Sequence, residues 1–573
     1  MNSVTSVILA TVVSLGVVAG SGINTAIAGS LSGAYLAGKH AGNRSDVEAA
    51  ARYFAKALAR DPENAALMEQ ALIYQAATGQ IELALRSAKS LEAARPGHRM
   101  AALMLTADAL RSGELETART RLAETPGAYH PLVGAMLSAW SAYDPADLTA
   151  AEAAFATLDN RPIFKIFAGY HTGLMRHASG DVAGALEAFK GIAEQMQVPT
   201  GRMARAYGAA LRDAGQVEEA RAIYEGAMSV SVSDALMEAD LAALEAGTEV
   251  EPLVLSPQDG AAEALFGLAA ALGRDGEERL SLFYTRIAAW LRPDFNDAAL
   301  LAAELLEGEE QYLLAIDAYE TIPATSALSR SAEIGRADSL RKMGEEEQAT
   351  EALKSLTRRE PDAIDAHIAL GDLLRRAEKF EDGAKAYSAA IRLMEDAGRP
   401  NWVLYYERGI CYERSGEWDK AEADFFKALE LQPDQPLVLN YLGYSWLEKG
   451  LNLDRALGMI EKAVQQRPDD GYIVDSLGWA HYLLENYPSA VRELEKAVEL
   501  RPIDPVINDH LGDALWKVGR KLEAAFQWRR ALSFDPEEKD AKRIRLKLAD
   551  GLDAVLKSEN AAKDTESSTA NDG

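Results

Sequence analysis

Residues Trp402 to Asp434 read WVLYYERGICYERSGEWDKAEADFFKALELQPD, and this stretch decides the fold. It carries Gly409, Tyr412, Ala421, Phe425, Ala428 and Pro433. The same residue types return further along. One copy holds Leu477, Gly478, Ala490, Leu494, Ala497 and Pro502; the next holds Leu511, Gly512, Leu515, Ala524, Trp528, Ala531 and Pro536. All fall on common positions of a frame of about 34 residues: 7 and 8, 11, 20, 24, 27 and 32. The spacing places two apolar stripes at helical period on either side of a break, so each unit is a pair of antiparallel helices. Small residues at positions 8 and 20 belong where the helices approach most closely. Larger ones at 7, 11 and 24 fill the space alongside. Proline at 32 ends the second helix, because it cannot continue the hydrogen-bond ladder.

The frame runs backwards through Ala349, Leu353, Leu356 and Pro361, and through Ala315, Tyr319 and Ile322. It reappears as Gly38, Ala50, Phe54, Ala57 and Pro62, then at Gly173, Ala185 and Phe189, and at Gly208, Ala220 and Tyr224. About fourteen repeats fit between Leu31 and Glu538, with residues 99–165 degenerate and a short insertion from Glu395 to Pro400. This pattern resembles the tetratricopeptide repeat. The resemblance implies an all-α fold: a right-handed superhelical solenoid whose first helices line a concave channel. One such unit cannot bury its apolar face alone, so neighbours must stack.

The expected organisation is a signal peptide at 1–28, a first repeat segment at 29–234, and a connecting helix and loop at 235–261. A second repeat segment at 262–538, a capping helix at 539–557 and a disordered tail at 558–573 follow. The leader is apolar from Val4 to Ala19, with Ala26-Ile27-Ala28 at signal-peptidase spacing, although no Lys or Arg precedes it. Gly and Pro clusters in Gly247–Pro252 and Ser256–Gly260 mark the loop and the boundary between segments. No second apolar stretch is long enough to span a bilayer.

The formal net charge is −28, from 60 basic and 88 acidic residues. Such a chain is poorly suited to displacing counterions from nucleic-acid phosphates. The one cysteine, Cys411, excludes an intrachain disulfide and a multi-cysteine zinc site, and it reads as a packed thiol. Eight histidines show no metal-ligand spacing; His171 and His177 fall on different helix faces. Neither a phosphate-binding glycine loop nor a nucleophile elbow is present, so no catalytic residue, metal or cofactor is expected. The expected work is therefore protein or peptide binding, not catalysis.

In the resembled fold the channel is lined chiefly by positions 2, 5, 9, 12 and 13. In the last four repeats these include Tyr406, Asn440, Tyr444, Asp475, Trp479, Tyr482, Asp509, Asp513 and Trp516. Aromatics there supply contact area and acids favour a basic partner; the alternative is that the rings pack on the neighbouring helix. Arg202, Arg205 and Arg212 form a second patch that could receive an acidic segment or pair internally. A carboxylate clamp of Lys at position 5 and Asn at position 9 is not matched, since those positions hold residues such as Tyr406 and Ile410 or Asp475 and Trp479. The C-terminal third, through Leu442-Gly443-Tyr444, Leu477-Gly478-Trp479 and Leu511-Gly512-Asp513, resembles repeat adaptors of the bacterial envelope. Some of those are periplasmic or lipid-anchored and deliver substrates to a processing protease. With the leader, the resemblance implies a scaffold or adaptor exported to the periplasm; the alternatives are a cytoplasmic assembly factor or an accessory subunit of an envelope enzyme such as a processing protease. The lipidated members carry an N-terminal cysteine that this chain lacks.

Overall fold

A computed structural model describes residues 30–570, apart from 159–160, 196–200, 230–234, 249–251 and 275. The expected signal peptide at 1–28 lies outside the described residues. Among those described there are 31 α-helices and no strand.

The repeat that opened the sequence folds as two helices, Trp402–Arg414 and Trp418–Leu431. Three more pairs follow: Pro436–Glu448 with Leu453–Gln466, Gly471–Leu483 with Tyr487–Leu500, and Pro505–Lys517 with Lys521–Ser533. Each first helix is started by a polar side chain just after the proline: Asn401, Gln435, Asp470 and Asp504 accept hydrogen bonds from first-turn amides. The turn inside each pair needs a left-handed residue, supplied by Gly416 at φ 83° and by Glu485 at φ 59°.

The closest approach between paired helices differs from expectation in one respect. In most repeats the glycine at position 8 faces the large side chain at position 24 rather than the small residue at position 20; at Gly443 a β-carbon would lie 2.9 Å from both the Ala456 carbonyl, position 20, and Ile460, position 24. A β-carbon on Gly409 would lie 2.7 Å from Phe425, and one on Gly512 would lie 2.4 Å from Trp528. The alanines at position 20, such as Ala421, Ala490 and Ala524, are wholly buried. The insertion at 395–400 is absorbed by lengthening the second helix, Phe380–Asp396, and closing it at Gly398 with φ 66°.

The chain divides into two compact units, residues 1–369 and 370–573. The boundary expected at 235–261 falls inside the first unit. Pro257 opens a helix, Pro257–Arg274, with the Ser256 hydroxyl accepting from the Asp259 amide, so the expected loop ends before Gly260. That helix and its partner Glu278–Leu291 fold back onto the first helices of earlier repeats. Gly260 sits against Trp140, where a β-carbon would come within 2.0 Å of the indole. Arg286 donates to the Ala77 carbonyl at 3.2 Å and Arg279 to the Gly42 carbonyl at 3.1 Å. One continuous core therefore joins Leu72, Met104 and Trp140 to Ala261, Leu265 and Ile287. Leu253 and Val254, just after the Gly247–Pro252 cluster, pack in that core, and a chain that enters a core there looks like a boundary when only local composition is read.

In the second unit the repeats end on two helices, Glu538–Asp550 and Leu552–Ala570, joined at Gly551 with φ 85°. One capping helix to 557 and an irregular tail were expected; the second helix runs on to Ala570.

Candidate binding surfaces

In the second unit, the expected contact residues separate into three groups. At the C-terminal end the acids are neutralised from within. Lys547 is 1% exposed and donates to Asp509 at 2.8 Å and to Asp513 at 2.7 Å. Arg543 lies 3.6 Å from Asp513. The Asp513 carboxyl is raised by burial, against the lowering pull of Lys547. Trp516 donates its indole N–H to Asp553 at 2.9 Å and rests beside Gly551. The final helices thus cover Asp509, Asp513 and Trp516, which the sequence placed on the open channel. A solenoid end must bury its last apolar face, and this one does so through the surface its binding residues would have used.

The middle group forms one stack. Trp479 lies flat between Tyr482, at 4.5 Å between centroids, and His510, at 4.0 Å. Asp475 is 3.0 Å from the His510 Nδ1. Burial alone would lower His510, but Asp475 and the neighbouring acids outweigh it and its pKa is raised. Both faces of Trp479 are therefore occupied by the chain, and Asp475 is spent on an internal partner. His510 was missed from the sequence, because it sits off the channel positions and is identified only by what stacks on it.

Tyr406, Asn440 and Tyr444 remain. All three are half-buried. Tyr406 packs against Phe425 and, edge-on at 5.9 Å, against Tyr441. Burial and then Glu407 push the Tyr406 hydroxyl up; burial, Glu448 and Asp475 do the same at Tyr444. Asn440 differs from its neighbours: its Oδ1 is buried and accepts no hydrogen bond among the described residues. A buried acceptor without a donor is costly, and it is satisfied when a donor arrives.

The arginine patch of the first unit is engaged by its own chain. Arg202 donates to Glu263, itself 2% exposed, and pairs with Asp297 at 2.9 Å. Its guanidinium also lies 4.9 Å over the Phe295 ring. Arg205 binds Asp240 at 2.6 Å and Arg212 binds Asp213 at 2.8 Å. The folded-back helix carrying Glu263 therefore meets Arg202 alone, while Asp240 on the helix Ala235–Ala246 meets Arg205 and the adjacent Asp213 meets Arg212. For Arg202 the partner comes by long-range return of the chain, which local spacing does not reveal.

Cys411 is wholly buried, and burial pushes its thiol up to about 12. His171 accepts the Trp140 indole N–H at 3.0 Å, and burial lowers its pKa to about 4. His177 pairs with Asp213 at 2.8 Å. Among the described residues no group of three potential ligands could hold a metal ion, and no helix is long and apolar enough to cross a membrane.

Family comparison agrees with this helical-pair geometry. Two models of the tetratricopeptide repeat match the chain, over residues 402–435 and 334–401. Residues 334–435 are tetratricopeptide repeats. A TPR repeat-containing protein of Pseudomonas aeruginosa is 28% identical to it over 180 residues, which is 31% of this chain and 30% of that protein. Human tetratricopeptide repeat protein 13 is 31% identical over 135 residues, covering 21% of this chain and 16% of that one. The chain thus matches less than a third of the length of either relative. Among solved structures, the Cut9 and Hcn1 hetero-tetramer of the APC/C aligns over 92% of this chain and 98% of that one, with 15% identity and a TM-score of 0.38. Yeast Tom70 aligns over 91% and 95%, with 13% identity and a TM-score of 0.35. Both scores are low, and neither protein's assembly bears on this one.

Proposed function

We propose that this tetratricopeptide-repeat protein is a non-enzymatic scaffold or adaptor that holds a segment of a partner protein. The site is the first-helix face of the second unit, at Tyr406, Asn440 and Tyr444. Repeats of this family generally serve as protein-binding scaffolds. The observation that carries the location is the buried, unbonded Oδ1 of Asn440, flanked one turn away by Tyr444. The atom itself is sealed from solvent, so the half-buried Asn440 side chain must turn outward for a backbone N–H of an extended partner segment to satisfy it, while the tyrosine rings supply apolar contact. The charged positions expected to draw a basic partner, Asp475, Asp509 and Asp513, are already neutralised, so recognition here rests on the amide and the rings.

The test is capture from a bacterial extract by wild type and by Asn440→Leu with Tyr444→Ala, with retained proteins identified by mass spectrometry. The proposal expects a partner held by wild type and lost by a variant that melts like wild type. Equal retention by both would refute the site. We further propose the bacterial envelope as its location, on the strength of the leader at 1–28. Intact mass of the protein from cells should then correspond to a chain beginning at Gly29, and a mass retaining residues 1–28 would argue for the cytoplasm.

A further inference from the structure

The first unit contains a cavity of about 550 Å³ with no counterpart in the repeat pattern. Its lining is drawn from the helix Glu278–Leu291, which packs on Ala65–Ala77 and Arg99–Arg111, and from Pro131–Ser141 beyond them. Four aliphatic side chains, one from each helix, make part of its wall: Ile73, Leu103, Val133 and Leu280. Its polar lining includes Glu69, Arg95, His98, Arg99, His130 and Tyr284.

Two features of that lining favour negative charge, and a third leaves a polar atom without a partner. Arg95 and Arg99 are exposed, and neither has an ion-pair partner among the described residues, in a chain of net charge −28. His98 precedes the Arg99–Arg111 helix without capping it, and no acid occupies that helix's first turn, so its amide end is uncompensated. The Nδ1 of His98 is buried with no hydrogen-bond partner, while its Nε2 lies 3.5 Å from Glu69. The local field agrees: at His130, burial lowers the pKa first, and then Arg161 and Arg99 lower it further. Glu69 is the one acid in the lining, against the two arginines.

We propose that this cavity is a second binding site, for an acidic peptide segment whose carboxylate meets Arg95 and Arg99 and whose apolar neighbour enters the aliphatic wall. The volume lies within the range of sites that enclose a ligand of several side chains, roughly 300–1,000 Å³. A lone small anion would leave the aliphatic wall unused. The site exists because the chain folds its own helix across the first-helix face, so it belongs to this molecule and not to the repeat in general. It rests on the protein-binding reading above but uses none of the same residues.

The test uses the full chain and a fluorescein-labelled hexapeptide of alternating leucine and glutamate, followed by anisotropy, with the leucine–lysine hexapeptide as control. Saturable binding of the acidic peptide alone is expected, about ten-fold or more weaker in Arg95→Glu with Arg99→Glu and unchanged in Tyr444→Ala. Thermal melts establish that the charge-reversed protein is folded. No saturable binding, or equal affinity in wild type and the charge-reversed protein, overturns the proposal. The two sites fail separately: the cavity through the peptide titration, the second-unit surface through capture that ignores Tyr444.

Discussion

Two glycine contacts and one amide carry most of the argument at the scale of single residues. Gly512 is held to its size by Trp528, so Gly512→Ala should cost about 1–3 kcal/mol, read from denaturant unfolding by tryptophan fluorescence. A loss near zero would mean the indole moves aside freely. Asn440 gives the opposite expectation. Its unbonded Oδ1 destabilises the free protein, so Asn440→Leu should leave the melting temperature unchanged or raise it while weakening partner capture. A clear fall in stability would show that Asn440 is a satisfied core residue. The glycines were legible because a steric minimum repeats with the frame. That the facing residue is at position 24 was not legible, since the pattern specifies size at each position and not which two positions touch. The place of Cys411 beside Gly409 predicts a packed thiol, and the residue is wholly buried.

Elements raise a different question: what the faces of the first helices touch. Channel positions can be counted along a chain, but their occupants come from far away in sequence. Glu263 reaches back 61 residues to Arg202, and Lys547 reaches back 34 to Asp513. Neither return has a local signature, which is why the arginine patch and the C-terminal acids looked available to a partner. Lys547→Ala removes the cation between two carboxylates and leaves the buried Asp513 with only Arg543, 3.6 Å away, and the Trp528 indole N–H, so it should cost up to about 3–5 kcal/mol. Hydrogen exchange should quicken in Pro505–Lys517 and Glu538–Asp550 together, and exchange confined to the last helix would contradict the cap. The rings at Trp479 and Trp516 follow the same logic. Their substitution should lower stability, because both are built into packing between helices.

At the scale of the molecule, the two units should answer pH in opposite senses. In the first unit His171 is lowered to about 4 by burial, below its ordinary 6.5, and its Nδ1 accepts the Trp140 proton. The unfolded chain binds the proton more readily, so stability is lost as pH falls from 6.5 towards 4, by up to about 3 kcal/mol. In the second unit His510 is raised above 6.5. Its contribution is full below 6.5 and is lost as pH rises through the raised value. Calorimetry with His171→Gln and His510→Gln should flatten the first and the second of these slopes respectively, and an unchanged slope in either would remove that histidine as the cause. The repeat architecture was readable along nearly the whole chain, because one short pattern recurs. Its division at residues 369 and 370 was not, because the helix crossing the division continues the same pattern. The central claim is that the protein holds its partner at Tyr406, Asn440 and Tyr444. It is tested most directly by placing a photo-crosslinking amino acid at Tyr444 or, separately, at Leu522, which is 90% exposed on a second helix. The account predicts a discrete crosslinked protein from position 444 that is absent from position 522; the same adducts from both, or none from 444, would contradict it.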